Sequence, residues 1–312
     1  DKPVGEITLS AQNLDKVIKN KNLDEKRQLK QEVDKHKEAG IKVEPFVDSD
    51  GKTFKFSETI IKATLKLPQD VRNDLFDLAI ENRKIAKSET NKLPKEVLAE
   101  IARIEKKRLS ERTLDREDYR KQWEDHLKKY VNPEEGIDYN KDLEEIINEI
   151  ARRNGAIPLM GPIKGDRAID KAIDRAELDA DEQREKDPNF TGSIEPDFNQ
   201  ITDVIRGSLI GTTDDEVNNL VDAIYNNPNW NVIKNSKGKE SANDRQERKL
   251  HKNRFQNPMG GYRDHMMLVE MAPGVIAEVQ VHRADTIYAK EVGPGHLFYE
   301  TTRKVIESKV NE

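Results

Sequence analysis

From residue 277 to 282 apolar and polar side chains alternate. Val275, Ala277, Val279 and Val281 fall on one side of an extended chain, and Glu278, Gln280 and His282 on the other. A period of two is the signature of a strand with one buried face. Pro273-Gly274 supplies a tight turn, and a second apolar run, 264–271, lies before it, so a hairpin is expected here. A third β-patterned run spans 201–210, with Ile201, Asp203, Ile205 and Leu209 on one side. Asp203 and Glu278 are thus carboxylates on sheet-forming segments, where desolvation is costly unless the group is paired, hydrogen-bonded or metal-bound. Two of them on neighbouring strands suggest a divalent-cation site facing a cleft.

The rest of the chain narrows the possibilities mainly by exclusion. Charged residues make up 37% of it and hydrophobic ones 34%, so it is unusually polar. The net charge of −6 is spread evenly: residues 1–150 carry 31 Lys+Arg against 33 Asp+Glu, which leaves 23 against 27 for the remainder of the 54 and 60. Bulk electrostatics therefore give no general affinity for nucleic acid, and a polyanion would need a local basic patch. There is no cysteine, which excludes disulfides, thiolate metal sites and cysteine nucleophiles. No apolar run approaches the roughly 18 residues of a membrane span, and no signal peptide is visible. The first residues, Asp1-Lys2-Pro3, lead us to expect a piece of a longer polypeptide.

Along residues 1–155 the pattern predicts a mainly helical region: 11–39 with a break near 22, a short helix after Ser57, 68–88, one or two helices over 94–130, and 141–153 ending at Asn154-Gly155. A small hairpin with Asp50-Gly51 at its turn is expected near 43–56. The composition then shifts. Residues 156–312 predict an extended Pro/Gly-punctuated segment, a helix at 165–186, the strand 201–210, a helix at 214–226, a short strand near 230–234, a polar mobile loop at 235–253, the hairpin, and a closing helix from about 284 broken at Gly293-Pro294-Gly295. This is an α+β domain with a mixed, mainly antiparallel sheet.

The order of residues in that domain resembles a known family. Lys164, Arg167 and Lys171 come first, then Asp203-Val204-Ile205-Arg206, then Gly261-Tyr262-Arg263, then Glu278-Val279-Gln280, then His296 and Tyr299. This series is similar to the synthetase domain of the RelA/SpoT family, nucleotidyltransferase-fold enzymes that move pyrophosphate from ATP to the 3′-hydroxyl of a purine nucleotide. The resemblance implies that Asp203 and Glu278 hold Mg²⁺ and that Lys164, Arg167 and Lys171 grip the ATP phosphates. Arg206 would lie near the donor nucleotide and the acceptor base would stack on Tyr262. Arg263, Gln280 and His296 count with the nucleotide-binding residues, and Tyr299 pairs with His296 on the closing helix. Such equipment suits the chemistry, since pyrophosphoryl transfer depends on positioning and charge neutralisation, and hard carboxylate oxygens suit Mg²⁺. Glu278 is also the best-placed general base for a ribose hydroxyl.

Three departures from the family pattern stand out. The usual Gly-Tyr-x-Ser-x-His reads here Gly261-Tyr262-Arg263-Asp264-His265-Met266. The Arg-Thr that often follows Glu-x-Gln-x is His282-Arg283, and the Lys/Asp-rich segment before Gly-Tyr is Arg254-Phe255-Gln256-Asn257-Pro258. The variant pattern is similar to RelA/SpoT-like domains at the tips of delivered toxins, which implies action in a cytoplasm after secretion or delivery. The partners implied are ATP and a purine nucleotide. Two alternatives stand beside this reading: an RNA 3′ end as acceptor, contacted by the basic run Arg245–Arg254, and a degenerate nucleotide-binding or structural domain.

Overall fold

A computed structural model describes residues 11–43, 45–47, 51–92, 114–233, 251–255 and 263–292. The N-terminal part comprises α1 (Ala11–Glu38), the two-stranded ribbon β1 (Phe46–Val47) and β2 (Thr53–Phe54), α2 (Phe56–Thr64) and α3 (Gln69–Lys92). The helix expected to break near residue 22 runs through unbroken. Gly51 adopts φ +78°, which explains why the ribbon turns there.

Next come α4 (Arg116–Leu127), the ribbon β3 (Val131–Asn132) and β4 (Ile137–Asp138), and α5 (Tyr139–Asn154). The α5 helix is capped at its start by the Asp138 carboxylate, which accepts from the Lys141 amide at 2.9 Å. It ends at Gly155 in the left-handed conformation, φ 64°, as Asn154-Gly155 predicts.

The rest of the chain contributes β5 (Ile157–Met160), α6 (Arg167–Lys186), β6 (Ile205–Gly211), α7 (Asp214–Tyr225), β7 (Asn231–Val232), β8 (His251–Asn253), β9 (His265–Ala272), β10 (Val275–Arg283) and α8 (Ala284–Glu291). The sheet runs in the order β5-β6-β10-β9-β7, with β8 also paired to β9. Among the described strands only β6 and β10 are parallel; the other pairs are antiparallel. The fold is therefore α+β with a mixed, mainly antiparallel sheet and flanking helices. Pro273-Gly274 closes the β9–β10 hairpin, with Gly274 at φ +76° and its amide donating to the Glu270 carboxylate at 2.9 Å.

Alternation sorts the side chains by face. Val275, Ala277, Val279 and Val281, together with Ile205, Leu209, Met267 and Val269, join a core with Leu143, Ile147 and Ile150 of α5, Ile169 and Ile173 of α6, and Leu220 and Ile224 of α7. The same core takes in Trp123 and Tyr130, so the packing is continuous across residue 155, where composition changes. His126 is buried among these aromatics, stacked on Trp123 with ring centroids 5.5 Å apart and tilted against Tyr130 and Phe198. On the opposite sheet face a second apolar cluster gathers at one end. There Ile157, Leu159 and Ile210 meet Ile60 and Ile61 of α2, Phe76 of α3, and Ala284, Ile287 and Tyr288 of α8. His36 of α1 bonds the Tyr288 hydroxyl at 2.7 Å, and Arg83 of α3 donates to the Val292 carbonyl at 2.8 Å. Helices thus lie on both faces, and the remaining end of the second face is where polar side chains gather.

Candidate functional site

The parallel register of β6 and β10 places Glu278 beside Arg206 and Gln280 beside Ser208. These residues, with the buried Met266 and Leu268 of β9 next to them, form the other end of the second face. The expected strand at 201–210 begins only at Ile205, and Ile201 to Val204 form a turn after a short 3₁₀ segment, Phe198–Gln200. Asp203 therefore does not share a strand face with Ile205 and Leu209, as alternation suggested. It projects from the turn that feeds β6, which frees its carboxylate from the apolar core.

The basic residues reach this turn by a local device. β5 is antiparallel to β6. Beyond Met160 the pairing continues in looser form, with the Gly161 amide donating to the Arg206 carbonyl at 3.1 Å and the Lys164 amide to the Val204 carbonyl at 2.9 Å. Lys164 is thereby laid alongside Asp203 and donates to its Oδ2. One helical turn inside α6, Lys171 donates to Oδ1 at 3.0 Å. Arg206 lies flat over Gly161: a β-carbon there would stand 2.5 Å from its Nε and 2.7 Å from its Cγ. Only glycine leaves room for that path.

Electrostatics tie the cluster together. Burial works to raise the Asp203 pKa, but the charges of Lys171 and Lys164 outweigh it and hold the carboxyl down at about 2. Lys164 shows the converse: desolvation pushes it below the usual lysine range despite Asp203, with Lys171 and Arg206 adding repulsion. Glu278 is pushed up, first by burial and then by the negative charge of Asp203, against the opposing pull of Arg206 and Lys171. The two carboxylates therefore feel one another across a nest of three cations. Gln280 Nε2 donates to Glu278 Oε1 at 2.7 Å, and His282 Nε2 is 3.1 Å from Gln280 Oε1.

Asp203, Lys164, Lys171, Arg206, Glu278 and Gln280 are thus brought to one place. Arg167 is exposed at the first turn of α6, on the same helix as Lys171. Arg263 is exposed just before β9. Tyr262, His296 and Tyr299 lie outside the described residues, as do residues 235–250 of the expected mobile loop 235–253 and with them most of the basic run; the last three residues of that loop, His251–Asn253, instead form β8 because β9 offers them an edge.

Sequence reading missed two arrangements that the fold makes plain. Asp264 is fully buried, 0% exposed, and accepts from Arg254 at 2.5 Å, while the Arg254 amide donates to the Asp264 carbonyl at 2.8 Å. The two departures from the family pattern are therefore partners. His282, another departure, is 1% exposed and belongs to the polar row running to Glu278. The clue to it was alternation itself, which already put Glu278, Gln280 and His282 on one side. Arg283, beside it, is structural: it pairs with Asp285 at 2.7 Å and Asp214 at 2.6 Å, joining β10 to the starts of α8 and α7.

The arrangement gathers two carboxylates and three cations at one end of the sheet. No protein-family model matches the sequence, and no curated protein does. Among solved structures, this chain is similar to small alarmone synthetase 1 from Bacillus subtilis bound to its product pppGpp (12% identity, TM-score 0.34, covering 61% of this chain and 96% of that one). It is also similar to the Type VI effector Tas1 in complex with its immunity protein (19%, 0.32, 52% and 68%). A third is small alarmone synthetase 2 from Bacillus subtilis (15%, 0.29, 61% and 96%).

Proposed function

We propose that this chain is a Mg²⁺-dependent pyrophosphokinase that transfers the β,γ-pyrophosphate of ATP to the 3′-hydroxyl of a purine nucleotide. The observation that carries this reading is the charge-coupled pair Asp203 and Glu278 at one end of a sheet, ringed by Lys164, Lys171 and Arg206. The motif order noted in the sequence supports the same reading.

The donor set fits the metal. Among the described residues no group of three or more His, Asp or Glu side chains gathers in a metal-binding cluster. Asp203 and Glu278 offer hard carboxylate oxygens, which suit Mg²⁺, an ion that commonly keeps waters and shares substrate phosphates. Asp203 and Glu278 would hold it, and when bound it would neutralise charge on the phosphates.

The chain's own residues supply the rest. Lys164 and Lys171 exchange Asp203 for phosphate oxygens as ATP enters, which restores a full counter-charge to a partly desolvated Lys164. Arg206, held in its path by Gly161, adds a cation beside Glu278. The acceptor's 3′-oxygen attacks the β-phosphorus, the bond from that phosphorus to the α,β-bridging oxygen breaks, and AMP leaves. Glu278 takes the hydroxyl proton; a carboxylate whose proton affinity is raised by burial and by Asp203 is the better base for it. Delivery of the chain as a toxin and action in a cytoplasm belong to the same proposal.

The test is incubation of the protein with labelled ATP and Mg²⁺ plus GDP, GTP, ADP or bulk tRNA in separate reactions. A pyrophosphorylated nucleotide and equimolar AMP support the reading. Product on tRNA alone moves the acceptor to an RNA 3′ end, and no product with any acceptor refutes the enzyme reading in favour of a degenerate domain.

A further inference from the structure

We infer that His282 and Gln280 form a positioning relay that fixes which oxygen of Glu278 faces the open site. The inference rests on Glu278 being the working carboxylate, as proposed above, but its geometry stands independently. Three residues at alternate positions on β10 share one side of the strand: His282 Nε2 lies 3.1 Å from Gln280 Oε1, and Gln280 Nε2 lies 2.7 Å from Glu278 Oε1.

The direction of this row follows from donor chemistry. An amide beside a carboxylate must present its NH₂, because the amide oxygen would face another acceptor. Gln280 can hold that orientation only if its oxygen meets a donor, so His282 carries its proton on Nε2. Two positive neighbours, Lys290 of α8 and Arg254 beside β8, join burial in keeping the imidazole neutral. A neutral imidazole has one N–H to give, and the row spends it on Gln280. Continuing the β9–β10 register one step past Val281 and His265 sets Asp264 opposite His282, so the buried Arg254–Asp264 pair flanks the far end of the row. The sequence expectation of an arginine at position 282 would have placed a cation there. The histidine instead converts the end of the row into a rigid, uncharged donor. Glu278 Oε1 is occupied by the relay, and Oε2 is the oxygen left to meet hydroxyl or metal.

Protein carrying ¹⁵N only in glutamine side chains reports the relay without any reaction, with the Gln280 amide signal identified by its loss in Gln280→Met. In the wild type that NH₂ pair should be widely split and slow to exchange. His282→Leu should collapse the splitting and speed exchange, and His282→Gln, which can place an amide N–H near the same point, should restore much of both. An unchanged Gln280 signal in His282→Leu overturns the inference. If His282→Leu does not fold, the wild-type signal decides instead: a fast-exchanging Gln280 amide overturns the relay. For an active enzyme, His282→Leu should lower kcat about tenfold or more while leaving KM for ATP within about twofold, with rescue by His282→Gln. Loss confined to KM, or to thermal stability, overturns a positioning role. Absence of transfer in the wild type refutes the proposed function and leaves the amide readout to decide the relay.

Discussion

His126 should make this protein acid-sensitive well above the range in which carboxylates titrate. The ring is 7% exposed and stacked among Trp123, Tyr130 and Phe198, and its Nε2 is buried with no hydrogen-bond partner among the described residues. Desolvation first, and then the charge of Lys129, lower its pKa from 6.5 to about 4, with Asp197 pulling weakly the other way. A folded-state pKa below the unfolded one means that the unfolded chain binds the proton more readily. Stability is therefore complete above about pH 6.5, falls as the pH drops towards 4, and is lost no further by this group below that. A shift of about 2.5 units is worth about 3.4 kcal/mol in full; roughly 1.4 kcal/mol of it is gone at about pH 5.5 and roughly 2.6 at about pH 4.5. His126→Phe keeps the aromatic packing, removes the unbonded nitrogen and cannot titrate. Urea unfolding of both proteins between about pH 7.5 and 4.5 should show curves that diverge in favour of the variant by about 2 kcal/mol or more at the acid end. His36 and His282, also pushed down by burial, remain in both proteins and cancel in the difference. Parallel curves would show that His126 reaches water or a donor in solution, and the desolvation argument would fail.

Further perturbations address the site. Glu278→Gln should leave the thermal midpoint almost unchanged, because the carboxyl is half-buried and already hydrogen-bonded, while turnover in the labelled-ATP assay falls at least about 10²-fold; an unfolded variant would make Glu278 a structural carboxylate. Asp203→Asn should abolish Mg²⁺-dependent ATP binding measured by calorimetry, and should also destabilise the protein by about 2 kcal/mol, since Lys164 and Lys171 lose the carboxylate that their charges hold ionised down to a pKa of about 2. Gly161→Ala should lower activity without unfolding: the new methyl displaces an exposed, flexible Arg206 and not the core. Gly207→Ala is its control in the opposite sense, because its methyl would meet Ile147 at 2.8 Å and the Met160 sulfur at 3.2 Å, for a loss of about 1–3 kcal/mol read by urea unfolding.

The strands and helices that carry the site were legible because their signals are local. Alternation on β10, the Pro273-Gly274 turn and the Gly155 cap each depend on a few consecutive residues, and each holds in the structure. What escaped was set by distant partners. Asp203 was assigned to a strand because Ile201, Ile205 and Leu209 alternate around it; the chain forms a turn there because the loop after β5 bonds to Val204 and not to an extended neighbour. The short strands β5 and β8 carry little pattern in three or four residues and exist because β6 and β9 offer them an edge. The covering of one end of the second face by α2, α3 and α8 needed the tertiary contacts of Ile60, Ile61 and Tyr288, which no spacing announces.

The Arg254–Asp264 pair has a consequence for how such a site changes over generations. Each residue differs from the resembled pattern, and each neutralises the other inside the protein, with Asp264 wholly shielded from water. Changing only one of the two positions breaks the pairing: Arg254→Leu alone would take from a buried carboxylate the cation bonded to it, at a cost of about 3–5 kcal/mol. Neither single step is tolerable where the pair is well accommodated, so the two positions behave as a ratchet. A chain that carries both residues is held to the pair, and reaches another arrangement only by changing the two positions together.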